Sequence, residues 1–263
     1  MATERRVRRF WDSQPCGSRH LDLEPGTKQY FIEFDRYFQD LYPHFLRFLD
    51  LESLRGKRVL EIGLGSGFEL GQIARVASTT VALDISLATI RLNDARRRQS
   101  GLAIELIHGS ATNIPLADHS IDTVVSIGCI HHIPEIERAV QEIRRVLVPG
   151  GVCKIMVYYR YSWRNLVTIP LARRFSAKWR GKSWQMCINE MYDGAGNPYG
   201  MVYSKEEVRR LFQGFEILSF EVRNFQASDL LAHWGGWVPR SLLLQTLGRV
   251  AGLDLYFTAR SQQ

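Results

Sequence analysis

"RVLEIGLGSGFEL", residues 58–70, is a short apolar run that breaks at three alternating glycines, Gly63, Gly65 and Gly67, and then resumes. It reads as a buried strand, a tight turn and the start of a helix. Glycines at alternate positions leave the backbone free to bend sharply and to approach a ligand closely.

The same alternation continues outward from this turn. Residues 69–77 are expected to be helical, and 79–85 form a strand ending near Asp84. Residues 86–100 form a helix opened by Ser86 and stopped before Gly101. Strands are expected at 103–109 and 121–128, and an amphipathic helix at 134–147 with Pro134 in its first turn. Pro149, Gly150 and Gly151 then turn into a strand at 151–159. Nearly continuous apolar strands alternating with helices indicate an α/β fold with a mostly parallel, doubly wound, Rossmann-like sheet. Ligands of such sheets sit beyond the carboxyl ends of the strands.

Four segments follow from this reading: an N-terminal helical cap (1–56), the core (57–159), a basic aromatic lid insertion (160–203), and a C-terminal part that completes the sheet (204–263). In the cap, residues 28–50 have helical spacing with a break at Pro43. In the last segment, Ser204 and Glu207 form a capping box, strands lie at 215–225 and 253–261, and 226–250 is an insertion, helical after Pro239.

The chain has 263 residues, enough for one large core. No apolar run approaches the roughly 18 residues that span a bilayer. The N-terminal stretch is charged with no apolar segment behind it, so a secretory signal is not expected and the cytoplasm is. Cys16, Cys129, Cys153 and Cys187 are scattered without a CxxC pair, which suits reduced thiols. Neither that spacing nor the adjacent His131 and His132 makes a metal site, so no metal is expected. Basic residues outnumber acidic ones by 34 to 27, with excesses at Arg5, Arg6, Arg8 and Arg9 and over 160–182. Such an excess is either a solvated face or an attraction for an anionic partner.

The glycine turn excludes two nucleotide types. A dinucleotide fingerprint needs a third glycine where Phe68 stands, and a P-loop needs Gly-Lys-Ser/Thr. Glu61, at the end of the first strand, would repel a pyrophosphate and suits an ammonium or sulfonium ligand. Asp84 ends the second strand, where a carboxylate can accept both hydroxyls of a ribose.

With "VLEIGLGSG", "ALDIS", "IPLADHSIDTVVSIGCIHHIPE" and "IRRVLVPGG" in this order and spacing, the chain resembles the class I S-adenosylmethionine-dependent methyltransferases, in a small-molecule, methyltransferase-11-like bacterial branch. The resemblance covers about residues 57–159 and implies a seven-stranded sheet with S-adenosylmethionine as cofactor. It implies that Gly63, Gly65 and Gly67 approach the methionine moiety and that Glu61 acts on the glycine loop and the ammonium group. Asp84 would hold the ribose, Ile85 would pack on the adenine, and Ile127 and Gly128 would close over the methionine end. The family usually has an acidic residue at Ser110 to receive the adenine amino group. Ser110 still accepts a hydrogen bond, and backbone groups at Ala111 offer a replacement.

His131 and His132 follow the fourth strand, where the acceptor belongs, so either is a candidate base or a structural residue. Tyr158 follows the fifth strand and joins them as a catalytic candidate, and Tyr159, Tyr161 and Trp163 could wall off the acceptor. Arg160 and Arg164 are candidate anchors for an anionic group on it. The expected activity is methyl transfer to a small molecule of specialised metabolism, apolar or aromatic with a negative group. An RNA or protein acceptor and a non-catalytic cofactor-binding subunit are the alternatives. The segment after the fourth strand, "IGCI", lacks the Pro-Pro tetrad of amino-directed nucleic-acid enzymes, so a nucleic-acid partner is not expected. Oligomeric state stays open.

Overall fold

The computed structural model describes residues 2–13, 15–16, 21–230 and 238–263. Helix α1 (Ala2–Ser13) is followed by α2 (Lys28–Leu41), capped by the Thr27 side chain, and α3 (Phe45–Leu49). Pro43 lies between α2 and α3, where it cannot continue a helix.

The core then winds through β1 (Arg58–Ile62), α4 (Phe68–Ile73), β2 (Thr79–Asp84), α5 (Leu87–Ser100), β3 (Glu105–His108), β4 (Ile121–Ile127), α6 (Ile136–Val146) and β5 (Leu147–Tyr159). Helix α4 is shorter than the expected 69–77, because the chain turns at Ala74 and Arg75 donates to the Gly71 carbonyl. Helix α6 begins after Pro134, since the residue before a proline is driven to extended backbone, as Ile133 is. Strand β5 begins at Leu147 rather than 151. Ile121 pairs with Leu147 and Thr123 with Val152, so Pro149-Gly150-Gly151 is a bulge within the strand.

A lobe follows, with α7 (Ile169–Phe175) continuing a π-helical turn (Arg164–Thr168), and α8 (Trp184–Asp193). The chain returns through β6 (Val202–Tyr203), α9 (Lys205–Leu211) with its Ser204–Glu207 capping box, and β7 (Phe215–Arg223). Helices α10 (Arg240–Gln245) and α11 (Leu247–Val250) precede β8 (Asp254–Ser261). Residues 231–237 of the expected insertion lie outside the described residues.

The sheet order is β3-β2-β1-β4-β5-β8-β7, seven strands, with the two-residue β6 pairing on β5 as an eighth. All pairings from β3 to β5 are parallel, and β8 runs antiparallel to both neighbours. Helices cover both faces. Ile136, Ala139, Val140, Ile143 and Val146 of α6 pack with Val208 and Phe212 on one face. Tyr30, Phe31 and Phe34 of α2 pack with Phe45, Phe48, Phe68 and Tyr256 on the other. The strand order reverses between β1 and β4, so a crevice opens beyond their carboxyl ends, at Ile62 and Ile127.

Candidate active site

The glycine loop lies in that crevice. Gly63 has φ +81°, and a Cβ there would overlap the Cys129 side chain that follows β4. Gly67 has φ +78°, caps α4 and abuts Asn93 of α5. The loop is held from behind. Asn93 donates to the Gly65 carbonyl (3.0 Å), and Arg96 donates to the Ser66 carbonyl (3.0 Å) while paired with Asp35. Tyr30 of α2 meets the Ser66 hydroxyl at 2.8 Å. These contacts hold the backbone in place for a ligand.

Asp84 is fixed at both oxygens. Oδ2 accepts from Leu64 N (2.9 Å) and Oδ1 from Ser86 N (2.8 Å), leaving further lone pairs toward the crevice. Burial pushes its carboxyl up to about 6 despite these backbone donors. Glu69, in the first turn of α4, is pushed up to about 7 by burial. Glu61 is 2% exposed, and burial, with the nearby Glu69 and Asp84, raises it well above the usual carboxylate range.

A cavity of about 190 Å³ runs along the strand ends. Gly63, Gly65, Asp84, Ile85, Ser110, Ala111, Ile127 and Gly128 line it, and so do His132 and Tyr158. Gly67 and Glu61 stand behind the lining, Gly67 as a packing glycine and Glu61 as a buried carboxylate whose Oε2 has no hydrogen-bond partner. Glu4, Glu69, Asp84 and Asp193 face the cavity, and no Lys or Arg does among the described residues. A largely apolar chamber edged with carboxylates and without Lys or Arg favours a positively charged ligand.

Beyond β4 and β5 the two histidines separate in role. His131 is fully buried, has neither ring nitrogen hydrogen-bonded, and is held well below the usual histidine range by burial and by His132. Its ring packs 4.0 Å from that of Tyr158 and does not reach the cavity. His132 does. Its Nδ1 lies 2.8 Å from the Tyr199 carbonyl, which can only accept, so Nδ1 carries the proton. Nε2 has no hydrogen-bond partner and lies 3.6 Å from Asp193 Oδ1. Tyr158 donates to the same Oδ1 at 2.5 Å, and Asn197 to Oδ2 at 2.8 Å. Burial, with Asp193, raises the Tyr158 phenol well above its usual range, so it stays a donor.

Sequence patterns did not single out Asp193, Tyr199, Trp11, Glu4 or the apolar wall of Phe34, Phe38, Tyr42, Met156 and Tyr256. A signal for the first two lay in the turn-rich 193–200, where Asn197 bonds both Asp193 and the Tyr199 amide. The structure does not bring Tyr159, Arg160, Tyr161, Trp163 or Arg164 to the cavity. Arg160 is clamped by Glu207 (2.7 Å). Arg164 is buried against Asp229 (2.6 Å) and stacked on Tyr192. Trp163 donates to the Asp229 carbonyl, Tyr159 packs in the core and Tyr161 is exposed. Arg160, Trp163 and Arg164 tie the start of the lobe to Glu207 and Asp229, so neither arginine is placed to anchor an anionic acceptor in the cavity.

Residues 60–155 match a family model described as a methyltransferase domain. Over these residues the chain is similar to S-adenosylmethionine-dependent methyltransferases. The chain is 33% identical over 119 residues to a fatty-acid O-methyltransferase of Mycolicibacterium smegmatis, covering 45% of this chain and 42% of that protein. It is 36% identical over 101 residues to a phthiotriol/phenolphthiotriol dimycocerosates methyltransferase of Mycobacterium leprae, covering 38% and 37%. The chain thus spans less than half the length of these curated relatives. The fold is shared more widely: a SAM-dependent methyltransferase of Aquifex aeolicus superposes with TM-score 0.56 at 15% identity, over 91% of this chain and all of that one.

The residues present fit the family's cofactor, S-adenosylmethionine. The chamber edged by Glu4, Glu69, Asp84 and Asp193, with no Lys or Arg among the described residues, suits its ammonium and sulfonium charges. The doubly anchored Asp84 suits ribose hydroxyls, and the Gly63–Gly65 backbone suits the methionine end. Among the described residues no group of three His, Cys, Asp or Glu side chains is arranged to hold a metal ion.

Proposed function

We propose that the chain transfers a methyl group from S-adenosylmethionine to the hydroxyl of a lipophilic small molecule, with His132 as the proton acceptor. The observation that carries this reading is the orientation of His132, a residue of the cavity wall whose Nδ1 is taken by the Tyr199 carbonyl and whose Nε2 has no hydrogen-bond partner and lies 3.6 Å from Asp193. When bound, S-adenosylmethionine supplies an electrophilic methyl group on a sulfonium and leaves as a neutral thioether. The chain has to position the acceptor, exclude water and remove one proton. Nε2 takes that proton as the acceptor oxygen forms its bond to the methyl carbon. Asp193 then faces an imidazolium, and the Tyr158 and Asn197 donors keep its carboxylate aimed.

The aromatic and aliphatic wall of Val7, Trp11, Phe34, Phe38, Tyr42, Met156 and Tyr256 suits an apolar acceptor body. The names of the two curated relatives, a fatty-acid and a dimycocerosate methyltransferase, are also those of enzymes acting on lipophilic molecules. The carboxylate edge weighs against an anionic acceptor and against the phosphates of RNA. A chamber roofed by α1 suits a small molecule better than a protein chain.

The test is turnover of long-chain alcohols and phenols against long-chain carboxylates, with wild type and His132→Gln. Preferred turnover of the hydroxyl acceptors, lost in the variant, supports the reading. A carboxylate is already deprotonated and needs no base. Exclusive use of carboxylates, with the variant fully active, would defeat it.

A further inference from the structure

Helix α1 roofs the cofactor end of the cavity, and its two faces differ. Glu4, Val7 and Trp11, at helical spacing, line the cavity, while Arg5, Arg6, Arg8 and Arg9 are exposed. The arginine excess at this end of the chain is therefore an outward face, and Glu4 is the acidic residue turned inward. Its Oε1 accepts a hydrogen bond from Ser110 Oγ at 2.6 Å. Ser110 also meets the Thr112 hydroxyl at 2.9 Å, which fixes its orientation. Farther along α1, Asp12 accepts from Ala88 N at the start of α5 (3.4 Å), and Trp11 packs edge-on against His132, ring centroids 5.2 Å apart.

Sheet order dictates how a nucleoside cofactor must lie here. His132 and Tyr158 follow β4 and β5, so the reacting end belongs on that side. Asp84 ends β2, where it can hold the ribose. The base must then extend the same way, past Ile85 to the end of β3, where Gly109, Ser110 and Ala111 line the cavity. The Ser110 hydroxyl donates to Glu4 and already accepts from Thr112 N at 3.3 Å. The polar side chain free to accept from a base at this end is the Glu4 carboxylate, which offers about four lone-pair sites and spends one on Ser110.

We propose that Glu4, delivered by α1 and oriented by Ser110, reads the exocyclic amino group of the cofactor's adenine, so that cofactor binding fastens α1 over the site. This rests on the cofactor reading above. Fastening α1 also seats Trp11 against His132, about 10 Å farther along the helix axis at 1.5 Å per residue. The helix thus links recognition of the base to completion of the acceptor chamber.

The test is calorimetric titration of the full chain with S-adenosylhomocysteine and with its 6-oxo analogue, S-inosylhomocysteine, for wild type, Glu4→Gln and Glu4→Ala. The 6-oxo group accepts where the amino group donates, so the wild type should prefer the adenosyl ligand by about tenfold or more, the scale of one hydrogen bond to a charged group. Glu4→Gln can donate its amide and should erase or invert that preference. Limited trypsinolysis at Arg5, Arg6, Arg8 and Arg9 gives a second readout. S-adenosylhomocysteine should protect these bonds in the wild type and fail to do so in Glu4→Ala. An unchanged base preference in both variants, with α1 still protected, overturns the role of Glu4 and leaves the cofactor reading standing. Failure of the wild type to bind either nucleoside brings down both.

Discussion

Nε2 of His132 stands 3.6 Å from Oδ1 of Asp193, across the boundary between the methyltransferase core and the lobe that follows β5. In the proposed reaction the core supplies the base and the lobe supplies the charge that faces it, so the lobe would contribute to the chemistry as well as cover it.

Replacing His132 with Gln should lower kcat by about 10²–10⁴-fold, the usual contribution of a positioned base. Asp193→Asn should lower it less, since Nε2 remains while the charge facing the imidazolium is lost. Neither change should alter S-adenosylhomocysteine affinity. Steady-state kinetics beside calorimetry separates the two effects. A fall in cofactor affinity matching the fall in kcat would place His132 in the cofactor pocket instead.

Cofactor binding should depend on pH in a definite direction. Burial raises Asp84 to about 6 and Glu69 to about 7, so both gain protons in the ligand-free protein as pH falls toward those values. A cationic ligand favours the carboxylates. Binding should therefore tighten as pH rises from about 5.5 to 7.5 and should release protons near pH 6.5. For the ligand-free fold the sign is opposite: raised carboxyl pKa values contribute stability at low pH that is lost as pH rises through about 6 and 7. Titrations in two buffers of different ionisation enthalpy measure the proton release, and net proton uptake would contradict the assignment.

Asp84→Ala should weaken S-adenosylhomocysteine binding by about 1.5–3 kcal/mol, as expected for hydrogen bonds to a charged group. It also removes the acceptors for Leu64 N and Ser86 N, so some thermal stability should go with it. Undiminished affinity would remove Asp84 from the ribose site.

The lobe arginines should behave as structural residues of unequal weight. Arg164→Met leaves Asp229 buried and unpaired and should cost about 3–5 kcal/mol of stability. Arg160→Ala breaks a half-exposed pair with Glu207 and should cost about 0–1 kcal/mol, leaving the acceptor KM unchanged. Thermal denaturation gives the first number. A large rise in acceptor KM for Arg160→Ala would return that residue to the acceptor site.

Most residues expected to hold the cofactor line one cavity, and they could be placed from the sequence because their determinants are local. The glycine turn, Asp84 and the ends of β3 and β4 each lie next to the strand that positions them, so strand recognition was enough to place them. The break at Pro43 and the Ser204–Glu207 capping box were legible for the same reason. The acceptor half depends on distant partners. Residues 160–182 look unneutralised along the chain, yet Arg160 meets Glu207, Arg164 meets Asp229 and Lys182 meets Glu190 once folded. Asp193 was hidden in a turn, and its partner His132 lies on another element. Equivalent neighbours in sequence, His131 and His132, diverge because the short helical turn Ile130–His132 buries both rings but brings only His132 to the cavity wall.

The most direct measurement is transfer of a labelled methyl group from S-adenosylmethionine to neutral long-chain hydroxyl acceptors, comparing wild type with His132→Gln at equal cofactor occupancy. Label should pass into the organic phase as the ether with the wild type and fall by about 10²-fold or more with the variant. Tight cofactor binding with no transfer to any such acceptor, or transfer undiminished in the variant, would contradict the assignment of this cavity as a His132-dependent methyltransferase site.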